Sequence, residues 1–177
     1  TEHGEITGVT NCIGSLLLKP AHRTSSEEWE RTLATNLGSA FATIRAAAQT
    51  MRQTGGSVLL VASAAALAGL PNHEAIAAAK AGVIGLAMSA AASYGAKGIR
   101  VNCVAPGLVE TPLTSRITSS DVARKATTAM HALGRLGKPT DVASVIAWLL
   151  DPSQSWISGQ VFGIDGGLGT VRTRVNA

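Results

Sequence analysis

The chain has 177 residues, 46% of them hydrophobic and 15% charged, which predicts one folded domain with a sizeable core and excludes extensive disorder. Its formal net charge of +4 comes from 15 basic and 11 acidic residues, and arginine is clustered only in the tail VRTRVNA. With 3% aromatic residues there is no stacking platform for single-stranded nucleic acid, so we expect no nucleic-acid partner. No apolar run reaches the roughly 18 residues of a membrane span, so we expect no membrane partner.

The cysteines and histidines give no sign of a redox pair or a metal site. Cys12 and Cys103 both lie in apolar, strand-like contexts, so we expect two buried free thiols, which fits a cytoplasmic protein best. The histidines are His3, His22, His73 and His131. Their spacing matches no metal-binding pattern and no Cys-x-x-Cys accompanies them, so we predict no metal.

Strand and helix patterns alternate along the chain. Short apolar runs predict strands at 6–11, 57–62, 99–105 and 160–164. Capping residues and Ala-rich patterns predict helices from Ser25 to about Met51, from Glu74 to Tyr94 and from Pro139 to Leu150. The polar stretch from Thr111 to Gly134 predicts a mobile flap. The alternation predicts an α/β fold with a doubly wound parallel sheet.

Three segments that follow predicted strands carry unusual residues. They are 11–14, Ser63 and 106–111. In an open parallel sheet, ligands bind outside the carboxyl ends of the strands. We therefore expect these segments to meet at one rim of the sheet.

Four motifs occur in a characteristic order. They are TNCIG at 10–14, LATNLGSAF at 33–41, IAAAKAGVIGLAMS at 76–89 and PGLVETP at 106–112. Together they resemble the short-chain dehydrogenase/reductase family, in particular its 3-oxoacyl-carrier-protein-reductase-like members, over about residues 9–169. The resemblance implies a Rossmann-type sheet.

The resemblance implies three catalytic residues. Asn36 stands where the family has a helix-kinking asparagine whose carbonyl binds a water of the proton relay, and a mid-helix asparagine is unfavourable on propensity alone. Ser63 has the spacing of the substrate-orienting serine, although a strand-end serine that only caps a turn is the competing interpretation. Lys80 stands where the family's lysine binds the nicotinamide ribose and lowers the pKa of the catalytic tyrosine.

The resemblance also implies NAD or NADP as the hydride carrier and a ketone or secondary alcohol as the substrate. The implied cofactor-binding residues are Asn11, Gly14, Lys80, Pro106, Gly107, Val109 and Thr111. Gly14 in the first motif and Gly107 in the last allow the backbone to approach the cofactor closely. The hydroxyl of Thr111 is expected to select the face of the nicotinamide ring.

The chain departs from the family pattern at two points. Ile76 occupies the position of the tyrosine in Tyr-x-x-x-Lys, which is the family's proton donor and acceptor, so activity is in doubt. Among the 19 glycines, no Gly-x-x-x-Gly-x-Gly cofactor turn lies between a predicted strand and a predicted helix. We interpret residues 1–177 as a partial NAD(P)-binding Rossmann-like domain that lacks the N-terminal strands. His73 is interpreted as a rim or loop histidine; a replacement acid is the competing interpretation, which the helix dipole disfavours because it opposes imidazolium in a first turn.

Two classes of function remain open on the sequence. One is an oxidoreductase, and the other is a non-catalytic relative that binds a ligand or a partner subunit. An upstream Gly-x-x-x-Gly-x-Gly turn would favour the first class, and its absence would favour the second.

Two expectations concern association. Small residues at 46–48, 77–79 and 90–92 allow close helix packing, and the resemblance implies a homodimer or homotetramer, although a core-facing alanine stripe is the competing interpretation. The strand at 6–11 is expected to have an open edge. We expect upstream residues of the same polypeptide, or another chain, to cover that edge.

Overall fold

The computed structural model describes residues 4–171, so His3 and the arginines of the C-terminal tail lie outside it. In chain order the strands and helices are β1 (Gly8–Asn11), α1 (Ser26–Leu33), α2 (Ser39–Thr50), β2 (Gly56–Val61), α3 (Glu74–Tyr94), β3 (Ile99–Pro106), α4 (Asp121–Ala129), α5 (Pro139–Leu150) and β4 (Val161–Ile164). A π-helical turn at Ala34–Gly38 joins α1 to α2. Short 3₁₀ turns lie at Ala21–Arg23, Ala64–Ala66, Gly95–Lys97 and Pro112–Thr114.

The four strands form one parallel sheet in the order β1-β2-β3-β4. In the central strand β2, Val58, Leu59 and Leu60 are all fully buried, because helices cover both faces of the sheet. Helices α2 and α3 pack on the face that includes Val58, and α5 packs on the face that includes Leu59. The predicted α/β class and doubly wound parallel sheet are therefore confirmed.

The long helix α3 has the bounds predicted from its alanine-rich sequence, and it packs most extensively on β3. Among residues 4–171, the stretch Glu74–Lys97 is the one helix that is long and apolar enough to cross a membrane. Length and composition alone support that possibility, and 39% of its most apolar window is buried inside the protein. A core helix that packs against a sheet passes the same test, so this finding is weak evidence for a membrane span.

One expectation from the sequence is wrong, and another stays a prediction. The stretch from Thr111 to Gly134, expected to be a mobile flap, contains α4, whose first turn is capped by the Ser120 hydroxyl accepting from the Ala123 amide at 3.2 Å, and its mobility stays a prediction. Cys12 is exposed and not buried, whereas Cys103 is buried as expected. The carboxamide oxygen of Asn11 accepts a hydrogen bond from the Ile13 amide at 2.9 Å, and this local turn carries Cys12 out of the sheet.

Strand β1 lies at one end of the sheet. It pairs with β2 from Gly8 to Asn11, and no other described strand pairs with it. The strand is two residues shorter at its start than the predicted 6–11 segment. The open edge expected from the sequence is thus present in the described part of the chain.

The buried side chain of Asn102 ties β4 to the sheet. Its amide nitrogen donates to the Ile157 carbonyl at 2.9 Å, and its oxygen accepts from the Gln160 amide at 2.9 Å. Asn102 is 0% exposed, whereas Ile157 is partly buried and Gln160 is exposed. One carboxamide therefore satisfies two backbone groups in the segment that leads into β4.

We predict that Asn102→Ala lowers the free energy of unfolding by about 1–3 kcal/mol, because it removes the two hydrogen bonds of a buried side chain and leaves the Gln160 amide without this partner. Urea denaturation measures the change. The control Gln160→Ala removes an exposed side chain from the same segment and should stay within about 0.5 kcal/mol of wild type. Equal losses in the two variants would contradict this account.

Candidate active site

One cavity of about 580 Å³ opens at the carboxyl ends of β1, β2 and β3. Its wall includes residues that follow each of these strands, namely Cys12 and Gly14, Ser63, and Pro106 with Gly107, Val109 and Thr111. Ile76 and Lys80 reach the same cavity from α3. The expected convergence of strand ends at one rim is confirmed, and it follows from the parallel register of the strands.

Lys80 is the buried cation of the site. It is 7% exposed, and its Nζ donates to the Val61 carbonyl at 2.8 Å, where β2 ends. Burial lowers the pKa of the Lys80 ammonium from its ordinary value, and the nearby Cys103 and Cys12 thiols oppose that shift. An ammonium has three donors. The other two are available to oxygen atoms of a ligand in the cavity.

Ile76 stands one helical turn before Lys80 and also lines the cavity. Its side chain is 3% exposed and has no atom that can donate or accept a proton. The α3 backbone thus presents an aliphatic group at the position that the sequence motif assigns to the phenol.

Ser63 begins the 3₁₀ turn Ala64–Ala66, and its Oγ accepts from the Ala65 amide at 3.1 Å. It therefore caps a turn, as the competing interpretation held. Ser63 also lines the cavity, and accepting a hydrogen bond leaves its hydroxyl proton available. The cap orients the side chain, so the two interpretations are compatible.

Asn36 and Asn11 lie behind the cavity wall and are not part of its lining. Asn36 is 1% exposed within the π-helical turn, where its amide donates to the Ser15 hydroxyl at 2.9 Å and to the Thr32 carbonyl at 3.0 Å. The predicted continuous helix is interrupted at this residue. The Asn11 amide donates to the Thr43 hydroxyl at 3.0 Å and so joins the end of β1 to α2.

Gly14 lies close to the side chains of Asn36 and Lys80. A Cβ at this position would lie 3.2 Å from Asn36 Oδ1 and 3.6 Å from Lys80 Nζ. A side chain here would therefore fill the space in front of the ammonium. The glycine keeps that space open to a ligand.

The loop after β3 forms the opposite wall. The Gly107 amide donates to the Ile164 carbonyl at 3.1 Å, and Val109 forms a parallel bridge with Gly137. The Thr111 amide donates to the Thr114 hydroxyl at 3.0 Å, which ends the loop in a short 3₁₀ turn. These backbone bonds hold the segment from Pro106 to Thr111 against the sheet.

His131 was missed by the sequence analysis. It is 3% exposed at the end of α4, lines the cavity, and accepts at Nε2 a hydrogen bond from the Leu108 amide at 3.1 Å. No motif in the chain marks this contact, because it joins residues 23 positions apart. Only the packing of α4 against the loop brings the two together.

His73 also reaches the cavity, from the residue that precedes α3. Its Nδ1 lies 2.8 Å from the Pro71 carbonyl, and the residue is partly exposed. This position agrees with the interpretation as a rim histidine. Among residues 4–171, no group of three or more His, Cys, Asp or Glu side chains is placed to hold a metal ion.

Comparison with known proteins places this site in a family. A family model described as Enoyl-(Acyl carrier protein) reductase matches residues 1–169. The chain is 37% identical to the 3-oxoacyl-[acyl-carrier-protein] reductase FabG of Thermotoga maritima over 94% of its own length and 68% of that protein. The chain therefore belongs to the short-chain dehydrogenase/reductase family.

Solved structures agree with this assignment. A short-chain type dehydrogenase/reductase from Mycobacterium ulcerans superimposes with a TM-score of 0.90 at 34% identity, covering 96% of this chain and 62% of that one. A variant of ElxO with NADPH bound superimposes with a TM-score of 0.88 at 29% identity, covering 94% of this chain and 68% of that one. The chain thus spans about two thirds of the length of the relatives it matches.

We predict that Gly107→Ala lowers the free energy of unfolding by about 1–3 kcal/mol, because there is no room for a methyl group. The added Cβ would lie 2.9 Å from both Asp165 Cα and His131 Nε2. Gly69→Ala is the matched control, since a Cβ there meets nothing within 4 Å. Denaturant titration measures the free energy of unfolding of each variant. Equal stability of the two would contradict the prediction, because it would show that the loop at Gly107 can move to accommodate a methyl group.

Proposed function

We propose that this chain is the substrate-binding and nicotinamide-binding portion of an NAD(P)-dependent oxidoreductase that interconverts a ketone and a secondary alcohol, with its proton transfer impaired. The observation that carries the proposal is one cavity lined by Lys80, Ser63, Ile76 and residues of the loop from Pro106 to Thr111. Lys80 and Ser63 supply the polar groups that the family uses to bind cofactor and substrate. Ile76 supplies no proton donor at the position where the family has its acid.

The residues present fit the nicotinamide half of NADH or NADPH. Lys80 offers two free N–H donors to ribose hydroxyls, and Gly14 leaves open the space in front of them. Gly107 packs tightly against Asp165 and His131 because it lacks a side chain, and this packing fixes the backbone of the opposite wall beside the ring. The cofactor, when bound, supplies a hydride. The spacing Gly-x-x-x-Gly-x-Gly occurs at 163, 167 and 169, but it begins inside β4 and no described helix follows it, so it offers no helix N-terminus to a pyrophosphate.

Ser63 orients the substrate in this proposal. Its Oγ is held by the Ala65 amide, so its remaining proton can be donated to a carbonyl oxygen in the cavity. A hydrogen bond of this kind strengthens as negative charge develops on that oxygen. The bond stabilises the charge but does not deliver the proton that completes the alcohol.

Ile76 leaves that last step without a donor. A positioned acid typically contributes about 10² to 10⁴ in rate. The Lys80 ammonium lies a full helical turn further along α3 and is held by Val61. We therefore propose that binding and orientation are retained while the rate of reduction is low.

The alternative is a non-catalytic relative that binds a ligand or a partner subunit. The observation that favours it is the burial of Ile76, whose 3% exposure shows an apolar side chain packed into the site. The two proposals differ in one measurable respect. A non-catalytic protein stays inactive when a tyrosine is restored, because other parts of its site have also diverged.

We predict that the 177-residue chain shows no measurable hydride transfer from NADH or NADPH to a panel of ketones and 3-oxoacyl thioesters, because it lacks both the acid and the glycine turn. Absorbance of the reduced cofactor follows the reaction. Wild-type turnover of about 1 s⁻¹ or more, within the ordinary range of enzymes, would contradict the proposal.

The companion variant Ile76→Tyr, made in the longest natural form of the protein, should raise the rate by about 10² to 10⁴. Ile76→Phe is the matched control, because it adds the ring without the hydroxyl. Equal rates in the two variants, or no gain in either, would favour the non-catalytic alternative.

The second proposal for the whole protein is self-association through α2 and α3. Of the small residues considered in the sequence, Ala47, Ala79 and Ala90 face the core, which agrees with the competing interpretation for those positions. The outer face instead carries large apolar side chains, and Phe41 and Met88 are each 54% exposed. Such a face favours contact with a second copy.

We predict a homodimer or larger homo-oligomer at micromolar concentration by light scattering, and a shift toward monomer in Phe41→Glu, because a carboxylate is costly to bury. Val122→Glu is the control, since it changes an exposed apolar residue on α4, away from this face. A strictly monomeric wild type would contradict the proposal.

A further inference from the structure

His131 joins two parts of the chain that form one wall of the cavity. It lies just after α4, and its ring nitrogens contact two separate backbone groups. Nε2 accepts from the Leu108 amide at 3.1 Å, and Nδ1 lies 2.9 Å from the Thr127 carbonyl. The imidazole therefore bridges α4 and the loop that follows β3.

These two contacts define one form of the ring. A nitrogen that accepts from an amide carries no proton, so the proton of the neutral ring lies on Nδ1. From there it is donated to the Thr127 carbonyl, which completes the hydrogen bonding of a residue that is 3% exposed. Neither the other tautomer nor the imidazolium form can accept the Leu108 N–H.

The peptide that His131 holds belongs to the cavity wall. Gly107 packs so closely that a Cβ there would lie 2.9 Å from His131 Nε2. On the other side, a Cβ at Gly166 would lie 3.5 Å from the Cβ of His131. The ring is thus confined between two glycine turns, and one of them is the turn that we assign to the nicotinamide.

We propose that His131 is a positioning residue, whose neutral imidazole holds the Gly107–Leu108 peptide in the orientation that receives the nicotinamide half of the cofactor. This inference rests on the proposed function. His131 does not react and transfers no proton. It acts through Leu108, and it makes the geometry of the binding loop depend on the packing of α4.

Two substitutions by amide side chains test the contacts of the two imidazole nitrogens separately. In His131→Gln the side-chain oxygen reaches the place of Nε2 and can still accept from Leu108, whereas in His131→Asn the shorter amide reaches only the place of Nδ1. The control His22→Asn changes an exposed histidine of a surface turn. Two quantities are measured in each protein: exchange of the Leu108 amide by NMR, and the Kd for NADPH and for NADH by nucleotide fluorescence.

We expect His131→Asn to speed Leu108 exchange and to raise the nucleotide Kd by about three- to tenfold each, the effect of one lost hydrogen bond. His131→Gln and His22→Asn should remain near wild type in both. A merely structural role would affect the Gln and Asn variants alike. Equal behaviour of those two variants, or unchanged Leu108 exchange in His131→Asn, overturns the proposal.

Two further results keep the inference distinct from the proposed function. If wild type binds neither nucleotide at millimolar concentration, the cofactor assignment fails, and the role of His131 in positioning the nicotinamide is overturned with it even where Leu108 exchange responds. If wild type binds a nucleotide but His131→Gln and His131→Asn do not differ from each other, the proposed function stands and the positioning role fails. Should His131→Asn not fold, ¹⁵N spectra of wild type decide, because an Nε2–H tautomer is incompatible with the proposal.

Discussion

The hydrogen bond from the buried Lys80 ammonium to the Val61 carbonyl is the contact on which the site depends. An ammonium with 7% exposure is costly to bury unless it is paired, and burial lowers its pKa. The bond holds α3 at the end of β2 and turns the remaining donors toward the cavity. Gly14 can face this group only because it lacks a side chain.

Isoleucine at position 76 is compatible with the fold, and in the proposed function it is the residue that limits proton transfer. Isoleucine is 3% exposed and suits the apolar side of α3, and a helix places residues 76 and 80 on one face whatever their side chains are. The fold therefore accepts isoleucine at this position without strain. In the proposed function proton transfer is limited, because it needs a titratable group within hydrogen-bonding distance of the reacting oxygen.

Much of the fold was predictable because local signals agreed with it. Alanine-rich periodicity gave α3 its bounds, and the Ser25–Glu28 capping box marked the start of α1. The exposed position of Cys12 was not predictable, because it depends on a side-chain turn from Asn11 that the apolar pattern does not reveal. The contact between His131 and Leu108 was equally hidden, since it depends on tertiary packing.

The central claim is that the space between Lys80 and Gly107 receives a nicotinamide ribose. An NMR titration of the chain with reduced nicotinamide mononucleotide tests it most directly, because this probe needs no pyrophosphate-binding turn. The account predicts saturable shifts at Gly14, Lys80 and Gly107, and their loss in Lys80→Met. Shifts confined to other surfaces, or shifts that survive Lys80→Met unchanged, would contradict it.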